Sequence, residues 1–332
     1  MAVGIKDVAK VAGVSPATVS RVLSGRVVDA AMHERVMAAV QSTGYRPNLA
    51  ARRLRSRHSN TIGLIVADIR NPFFTAVSRV IEDVAYARGL RVILCNTDED
   101  PEREAMYLQL MQEERVTGVI LAPSRDGADS VGRFSADFPV VLIDRAVPGV
   151  TRDCVVLDNE AMAGALVEHL HAAGHRRITG LFGASSATGV QRRSGFEHTA
   201  ARLGMDAQAL SVPHGAGETH KAVATIMAGA GRPTALVASN GVRLMGVLRA
   251  LQELGVSVPG DVALAGFDNE DWMEFVGGGL TVVEQPVEEI GRAAMTMLFE
   301  RLERPDAAAR RMVLAGRLVA RGSSAYIQET IA

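Results

Sequence analysis

"IKDVAKVAGVSPATVSRVLSG", residues 5–25 of a 332-residue chain, decides what kind of module stands near the N-terminus. Apolar Ile5, Val8, Ala9 and Ala12 recur at helical spacing, and the run stops at Gly13, which tolerates the left-handed conformation that ends helices. Ser15 is placed to cap a second helix by accepting an orphan amide, and Pro16 suits the first helical position, where no amide hydrogen is needed. Val19, Val22 and Leu23 fall at i, i+3 and i+4 and turn toward the first helix, leaving Ala17, Thr18, Ser20, Arg21 and Ser24 outward. A helix with so small and polar a face fits the DNA major groove, where an arginine bridges the two acceptors of a guanine edge. Ser15, Pro16, Ala17, Thr18, Ser20 and Arg21 are therefore the candidate DNA-contacting residues of this pair. A surface helical hairpin of an enzyme has the same spacing, and charge separates the two readings.

Residues 1–60 hold ten Lys and Arg against Asp7, Asp29 and Glu34, a net charge of +7, in a chain whose total is −1. The remaining 272 residues thus carry −8. A basic N-terminal module on an acidic body is the electrostatic footprint of a protein one end of which meets phosphate. Within the basic segment Leu54 is the one large apolar residue among Arg52, Arg53, Arg55 and Arg57, an odd neighbour for a solvated linker.

From Thr61 onward, apolar runs such as "TIGLIVADI", "RVILCN", "GVILAP", "PVVLID", "RITGLF", "TALVAS" and "VALAGF" alternate with amphipathic stretches at 74–88, 102–115, 160–173, 190–203, 241–254 and 286–303. Strands this uniformly apolar are covered on both faces, which predicts an α/β body with parallel sheets, too long for one comfortable core. In such sheets ligands bind beyond the carboxyl ends of the strands. The polar residues stand there: Asp68 to Asn71, Asn96, Ser124, Asp144 with Arg145, Asp158 with Asn159, Ser239 with Asn240, and Asp268 with Asn269. Asp and Asn also cap the helices that follow, so not every one of them is a ligand group.

The opening stretch, followed by "GYRPNLAARRLRSRHSNTIGLIVADIRNPFF", "GVILAPS", "VVLIDR", "LDNEAMAGALVEHLHAAGHRRI", "RRSGF", "VASN", "ALQELGVSVPGDVALAGFDN" and "LTVVEQPVEEIGRAA", resembles the lactose/galactose repressor family of bacterial transcription regulators along its whole length. The resemblance implies an N-terminal all-α helix-turn-helix headpiece (1–46), a hinge helix and linker (47–59), and a two-lobed periplasmic-binding-protein-like core with parallel sheets (60–332). It implies that "PNLAARRLRS" forms paired hinge helices in the minor groove, with Asn48, Ala51, Arg52 and Arg55 near DNA and Leu54 wedged into a base step. It also makes Phe73 and Phe74 ring-packing residues of an effector site, and Asp144, Thr188, Arg192, Asn240 and Asp268 hydrogen-bonding ones, with Arg145 beside them. Arg192 is the foremost, since a guanidinium bridges vicinal hydroxyls or a carboxylate. Two departures bear on the effector: Gly241 follows Asn240 where most relatives have Asp, and "HGAGETH" lacks the aromatic that many have near residue 217. Trp272 is a candidate replacement platform, and equally a candidate filler of the core or of a dimer interface.

The function so implied is that of a ligand-responsive repressor of a carbohydrate or sugar-acid utilisation operon. It is expected to be a cytoplasmic, nucleoid-associated homodimer on a near-palindromic double-stranded operator, released by a small-molecule effector. The alternatives are a purine-type co-repressor-dependent regulator, and a sugar-binding protein without a transcriptional role.

Other chemistry finds little support. Cys95 and Cys154 are single and lie in apolar strands, as reduced core thiols do. His169 and His171 lie two apart on one helix, and Gly174 interrupts the spacing from His171 to His175, so no metal site is expected. "GASSATG" lacks the lysine of a phosphate-binding loop. No catalytic pair, cofactor motif, leader or membrane-spanning run is read, so neither an enzyme nor a membrane protein is expected.

Overall fold

The computed structural model describes residues 3–23, 27–45, 59–124, 131–132, 134–183, 187–213, 215 and 217–326. Ser24 and the hinge candidates Asn48, Ala51, Arg52, Leu54 and Arg55 lie outside the described residues. The chain divides into two compact units, Met1–Ser59 and Asn60–Ala332.

The first unit is helical: α1 (Ile5–Ala12), α2 (Pro16–Leu23) and α3 (Ala30–Thr43). Gly13 takes the left-handed conformation (φ 64°), and Pro16 opens α2. Val8, Ala9 and Ala12 of α1, Val19 and Val22 of α2, and Val36 and Ala39 of α3 form one core. The sequence reading did not delineate α3, which closes that core; Asp29 caps it by accepting the Met32 amide at 3.2 Å.

The second unit alternates strands and helices: β1 (Thr61–Val66), α4 (Pro72–Ala87), β2 (Arg91–Asn96), α5 (Pro101–Glu113), β3 (Gly118–Leu121), β4 (Val140–Ile143), β5 (Asp153–Leu157), α6 (Asn159–Ala172) and β6 (Arg177–Gly183). These are followed by α7 (Ala187–Arg202), β7 (Asp206–Val212), α8 (Glu218–Ala228), β8 (Ala235–Ala238), α9 (Gly241–Glu253), β9 (Ala263–Phe267), β10 (Thr281–Glu284), α10 (Val287–Glu303), β11 (Arg311–Leu314) and β12 (Arg317–Val319). The strands make two six-stranded sheets, ordered β11-β5-β4-β3-β1-β2 and β12-β10-β9-β8-β6-β7. Each sheet with its helices is a lobe, and the chain passes between lobes at Asp158, at Gln285–Pro286 and at Ala315–Gly316. After the first passage α6 packs its Leu166, Val167 and Leu170 into the core of lobe 2; after the second, α10 returns Ile290, Ala294, Met295 and Leu298 to lobe 1.

Strand order corrects one expectation. All pairings of the first sheet are parallel, but β12 runs antiparallel to β10, with Val282 opposite Val319. The parallel strands of both sheets end at the interlobe cleft, so a strand that enters lobe 2 directly from β11, without an intervening helix, must run the other way. Gly316 makes that passage possible: a Cβ there would stand 2.8 Å from the Glu284 carbonyl of the adjacent passage. The elements that the sequence reading did not delineate, α8, β7, β10, β11 and β12, include the edges β7, β11 and β12, whose half-exposed residues make no uniform apolar run.

Candidate functional site

In the first unit, Ser15 accepts the Thr18 amide at 3.1 Å and its hydroxyl pairs with that of Thr18 at 2.9 Å. Ser15, Pro16, Ala17, Ser20 and Arg21 are exposed, whereas Thr18, expected outward, is half-buried. One side of α2 therefore packs on α1 and α3 while the other offers hydroxyls, a methyl and one guanidinium to solvent.

In the second unit, the strand ends of the two lobes enclose a cleft of about 380 Å³. Its wall includes eight of the expected residues: Phe73, Phe74, Asp144, Arg145, Thr188, Arg192, Asn240 and Asp268. Phe73 and Phe74 meet edge to face, centroids 5.1 Å apart, with most of both rings inside the core of lobe 1.

Arg192, on α7, is only 3% exposed. Its Nε donates to Asn159 Oδ1 at 2.7 Å and its Nη1 to the Ser239 carbonyl at 2.5 Å, and its Cζ lies 4.0 Å from the centroid of the Phe267 ring. Burial pushes its pKa down, against the pull of Asp268 from its own lobe and Asp144 from the other. Nη2 makes no hydrogen bond within the described residues, so a rigidly aimed pair of donors is left for a ligand.

The carboxylates are held as firmly. Asp144 and Asp268 both adopt left-handed backbone, φ 65° and 74°, at the ends of β4 and β9. Asp268 accepts the Gly241 amide at 2.7 Å on Oδ2 and the Gln285 amide nitrogen at 2.6 Å on Oδ1, which ties the start of α9 to the second passage between lobes. Burial raises the Asp144 pKa despite Arg145 and Arg192 nearby. Arg145 is less available than its position implied. It forks onto Glu99 at 2.7 and 2.6 Å, and also donates to Asp144 and to the Pro123 carbonyl. Burial works against its charge, but the Glu99 and Asp144 carboxylates outweigh it and raise the pKa. Four of the five guanidinium N–H groups are thereby used, so Arg145 positions Asp144.

Asn240 is both candidate and cap, its Oδ1 accepting the Arg243 amide at 2.8 Å. Gly241 also has a local reason: a Cβ there would stand 2.7 Å from Glu270 Oε1, so the missing side chain makes room for another carboxylate. Trp272 is not in the wall of the cleft. It packs against the core of lobe 2, donates to Glu270 Oε2 at 2.8 Å, and faces an adjoining depression that shares Phe73, Asp268 and Gln285 with the cleft. Of its two readings, the structure matches core filler and not a platform in the cleft, the indole nitrogen being drawn to Glu270.

The sequence reading placed Asn159 among the strand-end polar residues without assigning it a role, and missed Glu99, Gln285 and Arg243. Asn159 opens α6 directly after the first passage and holds both Arg192 and, through Nδ2 at 2.9 Å, Gln191. Asn159 stands at a strand end, and that placement was the available signal; Arg243 on α9 had none, because a polar residue in a helix reads as solvated.

Elsewhere, the His175 ring stands between the Thr234 hydroxyl and the Ser324 carbonyl, and His169 bonds the Ser324 hydroxyl at 2.8 Å. Among the described residues no three His, Cys, Asp or Glu side chains gather as metal ligands would, and no helix is long and apolar enough to cross a membrane. Cys95 and Cys154 are free and buried.

A family model described as bacterial regulatory proteins, lacI family, matches residues 4–48, and one described as a periplasmic binding protein-like domain matches residues 167–324. The chain is 36% identical over 330 residues to the HTH-type transcriptional regulator PtxS of Pseudomonas plecoglossicida, covering 97% of this chain and 96% of that one. A periplasmic binding protein/LacI transcriptional regulator from Alkaliphilus metalliredigens, solved in complex with D-xylulofuranose, is 26% identical over 80% of this chain and 98% of its own, with a TM-score of 0.71. The lac repressor dimer bound to operator and the anti-inducer ONPF matches at a TM-score of 0.86 over 98% of this chain and 100% of that one; at 24% identity this is a likeness of fold.

Proposed function

Because the chain belongs to the lacI family of bacterial regulatory proteins, and is thus a ligand-responsive DNA-binding transcriptional regulator, we propose that it represses a carbohydrate or sugar-acid utilisation operon and leaves its operator when a polyhydroxylated small molecule fills the interlobe cleft. The observation that carries this reading is Arg192: a buried guanidinium anchored by lobe 2 that feels Asp144 of lobe 1 and Asp268 of lobe 2. A polyol seated there touches both lobes, with C–H faces on Phe73 and Phe74 and hydroxyls on Arg192, Asp144, Thr188, Asn240 and Asp268. Its affinity then depends on how the lobes are oriented, and only such a difference shifts an equilibrium between states. The sugar in the Alkaliphilus metalliredigens relative supports this choice of ligand.

The protein acts in this reading as a cytoplasmic homodimer on the nucleoid, without catalysis of its own. β2 is the edge of the first sheet, and Leu94 on it, with Tyr86, Met106 and Leu110 from the helices on either side in sequence, is exposed; apolar surface of this kind is what two-fold interfaces bury. Two α2 helices then read two operator half-sites through Ser15, Pro16, Ala17, Thr18, Ser20 and Arg21. Residues 47–59 carry the coupling, with Asn48, Ala51, Arg52 and Arg55 on DNA and Leu54 as the wedge. A thermal-shift panel of sugars, sugar acids and purines tests the ligand class. Stabilisation by sugars or sugar acids is the expected result; stabilisation by purines alone would turn the reading to a purine-dependent regulator.

A further inference from the structure

Lobe 1 lines the cleft with four carboxylates, Asp68, Asp98, Glu99 and Asp144, against Arg70 and Arg145. Both arginines are in ion pairs: Arg70 with Asp68 and Asp98 at 2.9 and 2.6 Å, Arg145 with Glu99 and Asp144 at 2.6 and 3.0 Å. Lobe 2 contributes one carboxylate, Asp268, against Arg192 and Arg243, so its wall is cationic.

Arg243 is the anomaly in that wall. It is 9% exposed, yet among the described residues it has no ion pair. Its Nη1 donates to the Thr219 hydroxyl and its Nη2 to the Val212 carbonyl, both at 3.2 Å, and its Nε is buried with no hydrogen-bond partner. Burial alone, with no carboxylate to offset it, lowers its pKa to about 10. It stands in the first turn of α9, whose positive end is met by Asp268 on the Gly241 amide but which brings no carboxylate to the guanidinium itself. Desolvation without a counter-charge and an orphan donor both disfavour a cation here. One anion in the cleft beside Arg243 would supply the missing counter-charge.

We infer that Arg243 is the counter-charge for an anionic group of the effector, a carboxylate or phosphoryl group on a polyhydroxylated molecule, whose hydroxyl-bearing end meets Arg192 and the carboxylates of lobe 1. This rests on the cleft being the effector site. An effector charged at one end matches a cleft whose walls differ in sign, and the free sugar without that group leaves Arg243 as it found it. Arg243 is then the residue that sets acid against neutral sugar.

The test titrates the full chain, by calorimetry and thermal shift, with pairs that differ in the charged group: D-gluconate against D-glucitol and D-galacturonate against D-galactose. D-glucose 6-phosphate against D-glucose, with inorganic phosphate alone, forms the phosphoryl arm. At least one charged member should bind at least tenfold tighter than its neutral counterpart and raise Tm by several degrees. The arm that responds, carboxylate or phosphoryl, names the group. Arg243→Met should remove the preference, weakening the charged member at least tenfold while leaving its neutral counterpart within about twofold, and Arg243→Lys should restore part of it. Arg243→Gln serves if the Met variant does not fold. Neutral members binding as tightly as charged ones, no charged member binding at all, or a preference that survives in Arg243→Met would each overturn the inference. Operator binding followed in parallel keeps the two readings apart: release by neutral sugars alone retains the regulatory reading and discards this one, and absence of operator binding does the reverse.

Discussion

Arg192 and Arg21 are the foremost candidates of the proposed effector and DNA sites, and they differ in how they are held. Arg192 is fixed by Asn159, the Ser239 carbonyl and the Phe267 ring before any ligand arrives, so little ordering cost remains at binding. Arg192→Ala is expected to abolish the effector's thermal stabilisation, read by thermal shift; a full shift at unchanged effector concentration would remove Arg192 from the site. Arg21 is exposed on α2, as a base-reading side chain must be. Arg21→Ala should cost about 1–3 kcal/mol at the cognate operator and much less on random DNA, measured by anisotropy of labelled duplexes. Equal losses on both would make it a phosphate contact. Arg145 shows the limit of reading single residues: its place beside Asp144 at a strand end was legible, but its engagement with Glu99, 46 residues away, was not.

At the scale of elements, the close packing of α6 on α7 positions the site. Gly195 of "RRSGF" faces α6, and a Cβ there would collide with the Glu160 carbonyl, a backbone atom that cannot swing aside. Gly195→Ala should therefore destabilise the protein by roughly 1–3 kcal/mol in denaturant unfolding and weaken effector binding, because Asn159 and Arg192 bridge the same two helices. Unchanged stability would mean that the helices separate at no cost. Leu54→Ala tests the proposed hinge: less bending of circularly permuted operator fragments and an affinity loss on the order of a few kcal/mol are expected. Equal bending by both proteins would return Leu54 to an ordinary linker residue. The helices from α4 to α7, with α9 and α10, and the buried strands other than β10 were legible because burial on one or two faces writes a period into the sequence. The edge strands β7, β11 and β12 were not, since their half-exposed residues carry no such run. Of the candidate site, what sits at the ends of the strands read from sequence was legible, whereas Gln285, after the undelineated β10, was not. Arg243 was not: its burial comes from α9 meeting Thr219 and Val212, contacts that no local pattern records.

At the scale of the whole molecule, three passages join the lobes of the second unit, and the proposed function links ligand to their orientation. Asp268 bonds Gln285 at one passage and Asn159 follows another, so candidate effector-contacting groups are attached to the segments that join the lobes. A ligand that binds both orientations equally would shift nothing, whereas one that needs Asp144 and Arg192 together selects one of them. The measurement that bears most directly on this is the anisotropy of a labelled palindromic duplex, selected by the protein from a random pool, titrated with the wild-type chain and with Arg192→Ala at increasing concentrations of the stabilising sugar or sugar acid. The account predicts that the ligand weakens wild-type binding at least tenfold and leaves the variant's own affinity, whatever it is, independent of ligand. Release of the variant at the concentration that releases wild type, or wild-type binding indifferent to every ligand that stabilises the protein, would contradict it.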